Sequence, residues 1–412
     1  MEWGSCSRRV NVVNQQFCST LANLIMDNQF FDQPILNSPY QYPARHWELD
    51  KDGQPTQQIL EYRRSADFIT PIPKAKKQKR ASAQMPLVMD EGKGLSTAEQ
   101  QYDPKGNINL VRGYVDAWRM IPDPNEWKVT PETARLLQHW RKHPFASIRP
   151  FFCQVEAVET LIWLTEVAPK GGKRERELLE RLESASNEAN PGLARIALKM
   201  ATGSGKTTVM AMIIAWQTIN ALRYPTSKKF TRGFLITTPG ITIRDRLQVL
   251  QPNDPYNYYT SRELVPSDLL PELGKAKIVI TNYHAFKLRE RIPLSKGGRA
   301  LLQGRGEALN TLETEGQMLQ RVLPELMGMK NILAINDEAH HCYREKPEKD
   351  EEEEALKGDE REEAEANNEA ARLWVSGLEI VAEKLGLAQV IDLSATPFFL
   401  KGSGYGEGTI FP

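Results

Sequence analysis

The sequence predicts an α/β protein: a mainly parallel sheet covered by helices on both faces, preceded by an irregular N-terminal region. Three observations predict it. From about residue 148 onward, short apolar runs alternate with longer runs whose apolar residues recur at helical spacing. The short runs are hydrophobic almost throughout, as strands buried on both faces are. A glycine-rich turn, GSGKT, joins the first of these strands to the first long helix.

Residues 1–145 form the first predicted region. They are rich in Pro, Asn, Gln and aromatic residues and show little sustained periodicity; PILNSPYQYPARHWELDKDGQPTQ reads as turns and extended segments. KAKKQKR, residues 74–80, reads as a solvated basic loop, with a phosphate-contacting arm as the alternative. Glu91-Gly92-Lys93 fits half of a metal-nuclease motif, but no Pro-Asp precedes it on a strand, so it is set aside as chance.

Residues 146–412 form the second. QVEAVETLIWLTEV (154–167) is a predicted helix, and GGKRERELLERLESASNEANPG after it reads as a charged, hairpin-like insertion. Strands are predicted at 194–200, 233–239, 277–282, 331–337 and 389–395, and helices at 206–220, 241–250, 308–327 and 369–385. The acidic run at 345–369 reads as a solvated, partly disordered insertion.

Bulk properties set limits. A length of 412 residues suggests about two to three domains. A hydrophobic fraction of 40% and a charged fraction of 26% are ordinary for a globular protein. The formal net charge is zero, so any basic surface must be local. Cys6, Cys18, Cys153 and Cys342 lie far apart, which fits a reducing compartment better than a disulfide framework. With no secretory signal and no apolar run long enough to span a bilayer, the expectation is a cytoplasmic protein with no membrane association.

Three stretches carry chemistry. KMATGSGKTT (199–208) lies between a strand and a helix, the setting of a phosphate-binding loop, although Met200 stands where the strict pattern has glycine. Gly203 and Gly205 let the backbone wrap a phosphate, with Thr202 and Ser204 in the same turn and Thr208 beginning the helix. Lys206 supplies the neutralising charge, and Thr207 offers a hydroxyl to Mg²⁺. NILAINDEAHH (331–341) is an apolar strand ending in two adjacent carboxylates, which are costly to bury without a purpose. Strands of a parallel sheet share one C-terminal edge, so Asp337 can face the loop, holding Mg²⁺ mainly through water while Glu338 polarises an attacking water. A metal site on His340, His341 and Cys342 is the rival reading, but consecutive residues rarely converge on one ion. QVIDLSATP (389–397) is a strand running into Ser394, Ala395 and Thr396.

GSGKT, then DEAH, then SAT is the order found in superfamily 2 helicases. The chain resembles the first motor lobe of a DEAH-type member, and most of all the helicase-bearing restriction (Res) subunit of type III restriction-modification enzymes. IRPFFCQVEAVETL resembles the element preceding the phosphate loop in that family; LITTPGITIRDRL and IVITNYHAF resemble its motifs Ia and Ib; ILNSPYQYPARHWEL and LETEGQMLQRVLPELMGMKN resemble its connecting segments. The resemblance implies a RecA-like fold, ATP with Mg²⁺ as cofactor, and movement along duplex DNA. It implies that Gln154 reads adenine, with Arg149 nearby, and that His340 with Ser394, Ala395 and Thr396 couples nucleotide to nucleic acid. Thr238, Pro239, Gly240, Thr281 and Asn282 close strands before helices and can hold backbone phosphates, joined by Arg244 or Arg246.

In such motors a second RecA-like lobe supplies the arginine finger, whose loss costs about 10³–10⁵ in rate. That lobe and the nuclease module are not in this sequence, so the chain alone is expected to bind ATP and Mg²⁺ but turn over weakly, with a second lobe and a DNA methyltransferase subunit as partners. Two other readings stand beside this one: a DEAH lobe acting on RNA, or on DNA outside restriction, and a non-hydrolysing module that docks partners through nucleotide and residues 1–145.

Overall fold

The computed structural model describes residues 29–50, 55–66, 104–290, 312–343 and 359–395. The basic run at 74–80, Glu91-Gly92-Lys93, Cys6, Cys18, the first part of the acidic run and Thr396 lie outside them. By contacts the chain divides at Gly94/Leu95.

In the first unit, strands β1 (His46–Leu49) and β2 (Pro55–Leu60) pair antiparallel. Trp47 anchors the pair: its ring is 6% exposed and its Nε1 donates to the Gln33 carbonyl at 3.1 Å.

The second unit is built on five strands: β3 (Arg195–Lys199), β4 (Gly233–Thr238), β5 (Lys277–Asn282), β6 (Ile332–Asp337) and β7 (Leu387–Ser394). All pair in parallel, in the order β3-β7-β6-β4-β5. This is the mainly parallel α/β architecture of a RecA-like fold. Registry keeps the carboxyl ends level: Lys199 lies opposite Ser394, Asp337 opposite Leu393, and Thr238 opposite Asn282. One edge of the sheet therefore gathers the ends of every motif-bearing strand.

Both faces are covered, because successive strand residues point to opposite sides. Phe234, Ile236, Leu333, Ile335, Ile391 and Leu393 pack with the helix Lys206–Arg223, whose residues 208–220 are all buried. Leu235, Ala334 and Val390 face the other way, onto Trp374, Leu378 and Val381 of the helix Asp359–Lys384. Removing a ring as deeply buried as Trp374 costs about 3–5 kcal/mol.

Several segments differ from the sequence reading, each for a local reason. The insertion after 171 is a helix, Lys173–Ala189, because Leu178 with half-buried Leu179 and Leu182 gives it an apolar stripe. High charge density there marks the solvent face, not a turn. The stretch up to 145 contains the helices Pro104–Arg119 and Pro131–Lys142, which place Val111, Val115, Trp118, Leu136, Leu137 and Trp140 in the same core as the sheet. The helix expected over 308–327 spans Glu315–Val322: Thr314 and Gln317 form a capping box at its start, and Pro324 follows its end. The acidic run continues from Asp359 as the start of the Asp359–Lys384 helix, where Arg361, Glu362 and Glu365 are exposed. Among the described residues no helix is long and apolar enough to cross a membrane.

Candidate functional site

The loop between β3 and the helix Lys206–Arg223 is shaped by two left-handed glycines. Gly203 and Gly205 both have φ of 81°, a conformation that costs a residue with a Cβ about 1–2 kcal/mol. Gly203 has open space around it, whereas a Cβ on Gly205 would collide with Nε2 of Gln154. Gln154 is 4% exposed. Its carbonyl accepts from Phe151 N at 3.0 Å, and its amide donates to the Ser204 carbonyl at 2.8 Å. The side chain thus ties the start of its own helix, Phe152–Ile162, to the glycine-rich loop. That helix is fixed in turn by Glu159, fully buried between the guanidiniums of Arg119 and Arg141 at 2.7 Å each. Met200, in place of glycine, is buried and donates its N–H to the Ser394 carbonyl at 2.9 Å, so the departure falls on the anchored base of the loop.

Lys206 Nζ lies 2.5 Å from Glu338 Oε1. The lysine of the loop therefore meets the carboxylate that follows β6, with side chains 13% and 28% exposed. Glu338 sits at a left-handed backbone position, φ 50°, a strained place for a non-glycine residue and one common at functional sites. Asp337 is 7% exposed, and among the described residues its buried Oδ1 has no hydrogen-bond partner. Burial, reinforced by the Glu338 charge and opposed by Lys206, pushes its pKa from 3.8 up to about 6. A buried carboxylate oxygen of this kind is a suitable ligand for a hard cation, and the Thr207 hydroxyl is a second oxygen donor of the type Mg²⁺ takes. Thr207 is half-buried in the first turn after Lys206; Thr202 is exposed on the loop. Ser204 Oγ is a second buried oxygen with no partner.

His340 Nδ1 and Ser394 Oγ are 2.9 Å apart, which joins the segment after β6 to the end of β7. Burial, with smaller effects from His341 and Lys206, pushes the His340 pKa from 6.5 down to about 4. The imidazole is neutral near pH 7. Ala395 follows at half exposure. Among the described residues there is no group of three or more His, Cys, Asp or Glu that could hold a metal, and Cys342 is buried.

The ends of β4 and β5 are less open. Thr238 is buried, and its hydroxyl donates to the Gly240 carbonyl at 2.9 Å, shaping the turn that Pro239 and Gly240 complete. Thr281 donates to the Asn282 carbonyl at 3.3 Å. Arg244 is partly exposed and pairs with Asp245 at 2.9 Å.

Two features were missed in the motifs. Beneath the crevice, Arg195 is buried with its Nε 2.8 Å from Asp392 Oδ2, its Nη1 3.0 Å from Asn190 Oδ1 and its Nη2 2.8 Å from the Cys342 carbonyl. Asn336 donates to Asp392 Oδ1 at 2.7 Å and accepts from Trp374 Nε1 at 3.1 Å. This network pins β3, β7 and the segment after Glu338 together. A charged residue inside an apolar strand, such as Asp392 in QVIDLS, was the readable signal for it. The second feature is Arg262, whose Nη1 donates to Thr208 Oγ1 at 2.8 Å; its surroundings, YYTSREL, carry no motif.

A family model described as Type III restriction enzyme, res subunit, matches residues 148–399. Comparison with curated proteins and with solved structures gives no match.

Proposed function

The chain belongs to the family of type III restriction enzyme Res subunits, and from that premise we propose that the crevice binds ATP with Mg²⁺ and hydrolyses it to drive movement on duplex DNA. The family carries a superfamily 2 helicase-like lobe, and the nucleotide-hydrolysing character of that lobe is the general expectation for this chain. The observation that carries the finer reading is the 2.5 Å contact between Lys206 and Glu338, beside an orphaned, buried Asp337 oxygen.

The contact suggests how binding prepares the site. Without nucleotide, Glu338 neutralises Lys206. A triphosphate laid on the loop offers Lys206 a stronger, more highly charged partner and competes with the carboxylate. Glu338 is then released to orient and polarise the attacking water. The N–H groups of 203–208 and the helix end direct positive potential at the phosphates. Asp337 and Thr207 would hold Mg²⁺, which when bound supplies charge neutralisation between the phosphates. His340, held neutral against Ser394, links this end of β6 to β7 and so to the segment entering Ala395 and Thr396.

Duplex DNA is the proposed partner along the ends of β4 and β5, around Pro239, Gly240, Arg244 and Asn282. A second RecA-like lobe would complete the crevice, and a methyltransferase subunit would give restriction its recognition. A cytoplasmic location goes with this reading. The test is steady-state ATP hydrolysis with and without duplex DNA, for wild type and Glu338→Gln. Mg²⁺-dependent turnover that falls about 100-fold or more in the variant, with nucleotide binding retained, is expected. Equal turnover in both proteins would remove Glu338 from the reaction. Stimulation by RNA but not by DNA would move the partner to RNA.

A further inference from the structure

We propose that Asp392 is a positioning residue for hydrolysis: its carboxylate holds both ends of the bend that carries Asp337 and Glu338. This rests on the crevice being a nucleotide site.

The first observation is connectivity. Asn336 stands just before the acidic pair, and Cys342 closes the short turn after it. Asp392 Oδ1 accepts from Asn336 Nδ2 at 2.7 Å. Asp392 Oδ2 accepts from Arg195 Nε at 2.8 Å, and Nη2 of the same guanidinium donates to the Cys342 carbonyl at 2.8 Å. One carboxylate therefore reaches both sides of the bend, directly at Asn336 and through Arg195 at Cys342. Each end is held a second time. Trp374 Nε1 donates to Asn336 Oδ1 at 3.1 Å, and Arg195 Nη1 donates to Asn190 Oδ1 at 3.0 Å.

The second is placement. Asn336 lies opposite Asp392 in the β6–β7 register, and Asp337 lies opposite Leu393. Successive strand residues face opposite sides of a sheet. Asn336 and Asp392 accordingly share the face that Trp374 covers, whereas Asp337 shares the face of Ile335 and Leu393, against the helix Lys206–Arg223. Asp392 thus acts on the backbone of the bend from below, not on the reacting groups.

The third is energetic. Arg195, Asn336 and Asp392 are all buried. Apolar side chains of similar volume would hold β3 to β7 about as firmly as a buried ion pair does; what a fully bonded network adds is a fixed geometry. This bend needs one. Glu338 at φ 50° persists only where its surroundings over-determine it. Within the turn, the His341 N–H donates to the Glu338 carbonyl at 3.2 Å and the Cys342 N–H to the Ala339 carbonyl at 2.8 Å. Those bonds shape the turn, and the Asp392 network fixes where it sits on the sheet.

Calorimetry and single-turnover hydrolysis of the full chain test this together, with the rate taken per ATP-binding site so that an unfolded fraction does not enter. Arg195→Lys keeps a cation for Asp392 and loses the reach to Cys342. Trp374→Phe keeps a ring stacked on Tyr283 and loses the N–H that bonds Asn336. Each opens one end of the clamp. Both are expected to bind ATP with unchanged affinity and to hydrolyse it about tenfold or more slowly. The paired change Arg195→Met with Asp392→Leu, which replaces the ions with apolar groups, is expected to do the same, and it carries the test should a single variant not fold. Adding Arg195→Lys to Glu338→Gln is expected to slow hydrolysis little further, because the clamp acts through Glu338. Full multiplication of the two losses overturns the proposal. So do rates within about twofold of wild type in the clamp variants, or lost ATP affinity at an unchanged rate. Lys206→Ala is the control for the underlying reading: ATP affinity retained in it overturns that reading and the proposal with it, whereas a wild type that binds ATP through Lys206 without hydrolysing it overturns the proposal alone.

Discussion

Replacing Asp337 with asparagine should stabilise the protein while disabling it. Asp337 is buried, its Oδ1 has no partner among the described residues, and its pKa stands at about 6 instead of 3.8. A carboxyl whose folded-state pKa is raised binds its proton more tightly when folded than when unfolded. Stability therefore rises as pH falls from about 6 towards 3.8, and it is lowest above 6. Holding the group ionised at pH 8 costs about 3 kcal/mol, and at pH 5 about half of that. Asparagine keeps the shape and removes the charge. Urea unfolding of the nucleotide-free chain should show Asp337→Asn more stable than wild type by up to about 3 kcal/mol at pH 8, with the gap narrowing at pH 5. The same variant should lose the Mg²⁺-dependent part of nucleotide binding, because an amide is a poorer ligand for a hard cation. A variant less stable than wild type at pH 8, or a gap that does not change with pH, would refute the reasoning: the carboxylate would then be satisfied rather than strained.

Three further outcomes follow from neighbouring groups. His340 has a folded-state pKa lowered from 6.5 to about 4, so its contribution is lost as pH falls through that window; in wild type the opposite slope from Asp337 masks this, and in Asp337→Asn melts between pH 7 and pH 4 should reveal a loss of about 3 kcal/mol. Gly205→Ala places a Cβ against Gln154 at a left-handed position, so nucleotide binding should fail while circular dichroism stays native; Gly203→Ala, with open space around it, should cost only about 1–2 kcal/mol of stability by urea unfolding. Arg195→Met leaves Asp392 buried without its cation and should cost about 3–5 kcal/mol in the same measurement, whereas Arg195→Met with Asp392→Leu should recover much of it.

Much of this fold could be read from the chain because the relevant signals are local. The five strands fall where mostly apolar runs stop at GSGKT, TTPG, TN, DEAH and SAT, since strands covered on both faces are rich in apolar residues. The meeting of Lys206 with Glu338 was legible for a topological reason: parallel strands deliver their ends to one edge. What escaped notice was amphipathicity diluted by charge. Leu178, Leu179 and Leu182 specify a helix inside KRERELLERLES, and Val111, Val115 and Trp118 specify another in a region that looked irregular. Side-chain commitments also escaped. Nothing in the motif around Gln154 shows that its amide bonds Phe151 and Ser204, or that the Thr238 hydroxyl turns inward to Gly240. Arg262 reaches Thr208 only through a bend at Glu263 fixed by residues more than a hundred positions away, which no local pattern encodes.

Whether Lys206, Asp337 and Glu338 grip one triphosphate decides the function proposed for this chain. Titration calorimetry with ATP, in Mg²⁺ and in chelator, for wild type and Lys206→Ala, tests this most directly. Binding that needs Lys206 and tightens with Mg²⁺ is the predicted result. Equal affinity in both proteins, indifferent to Mg²⁺, would contradict it.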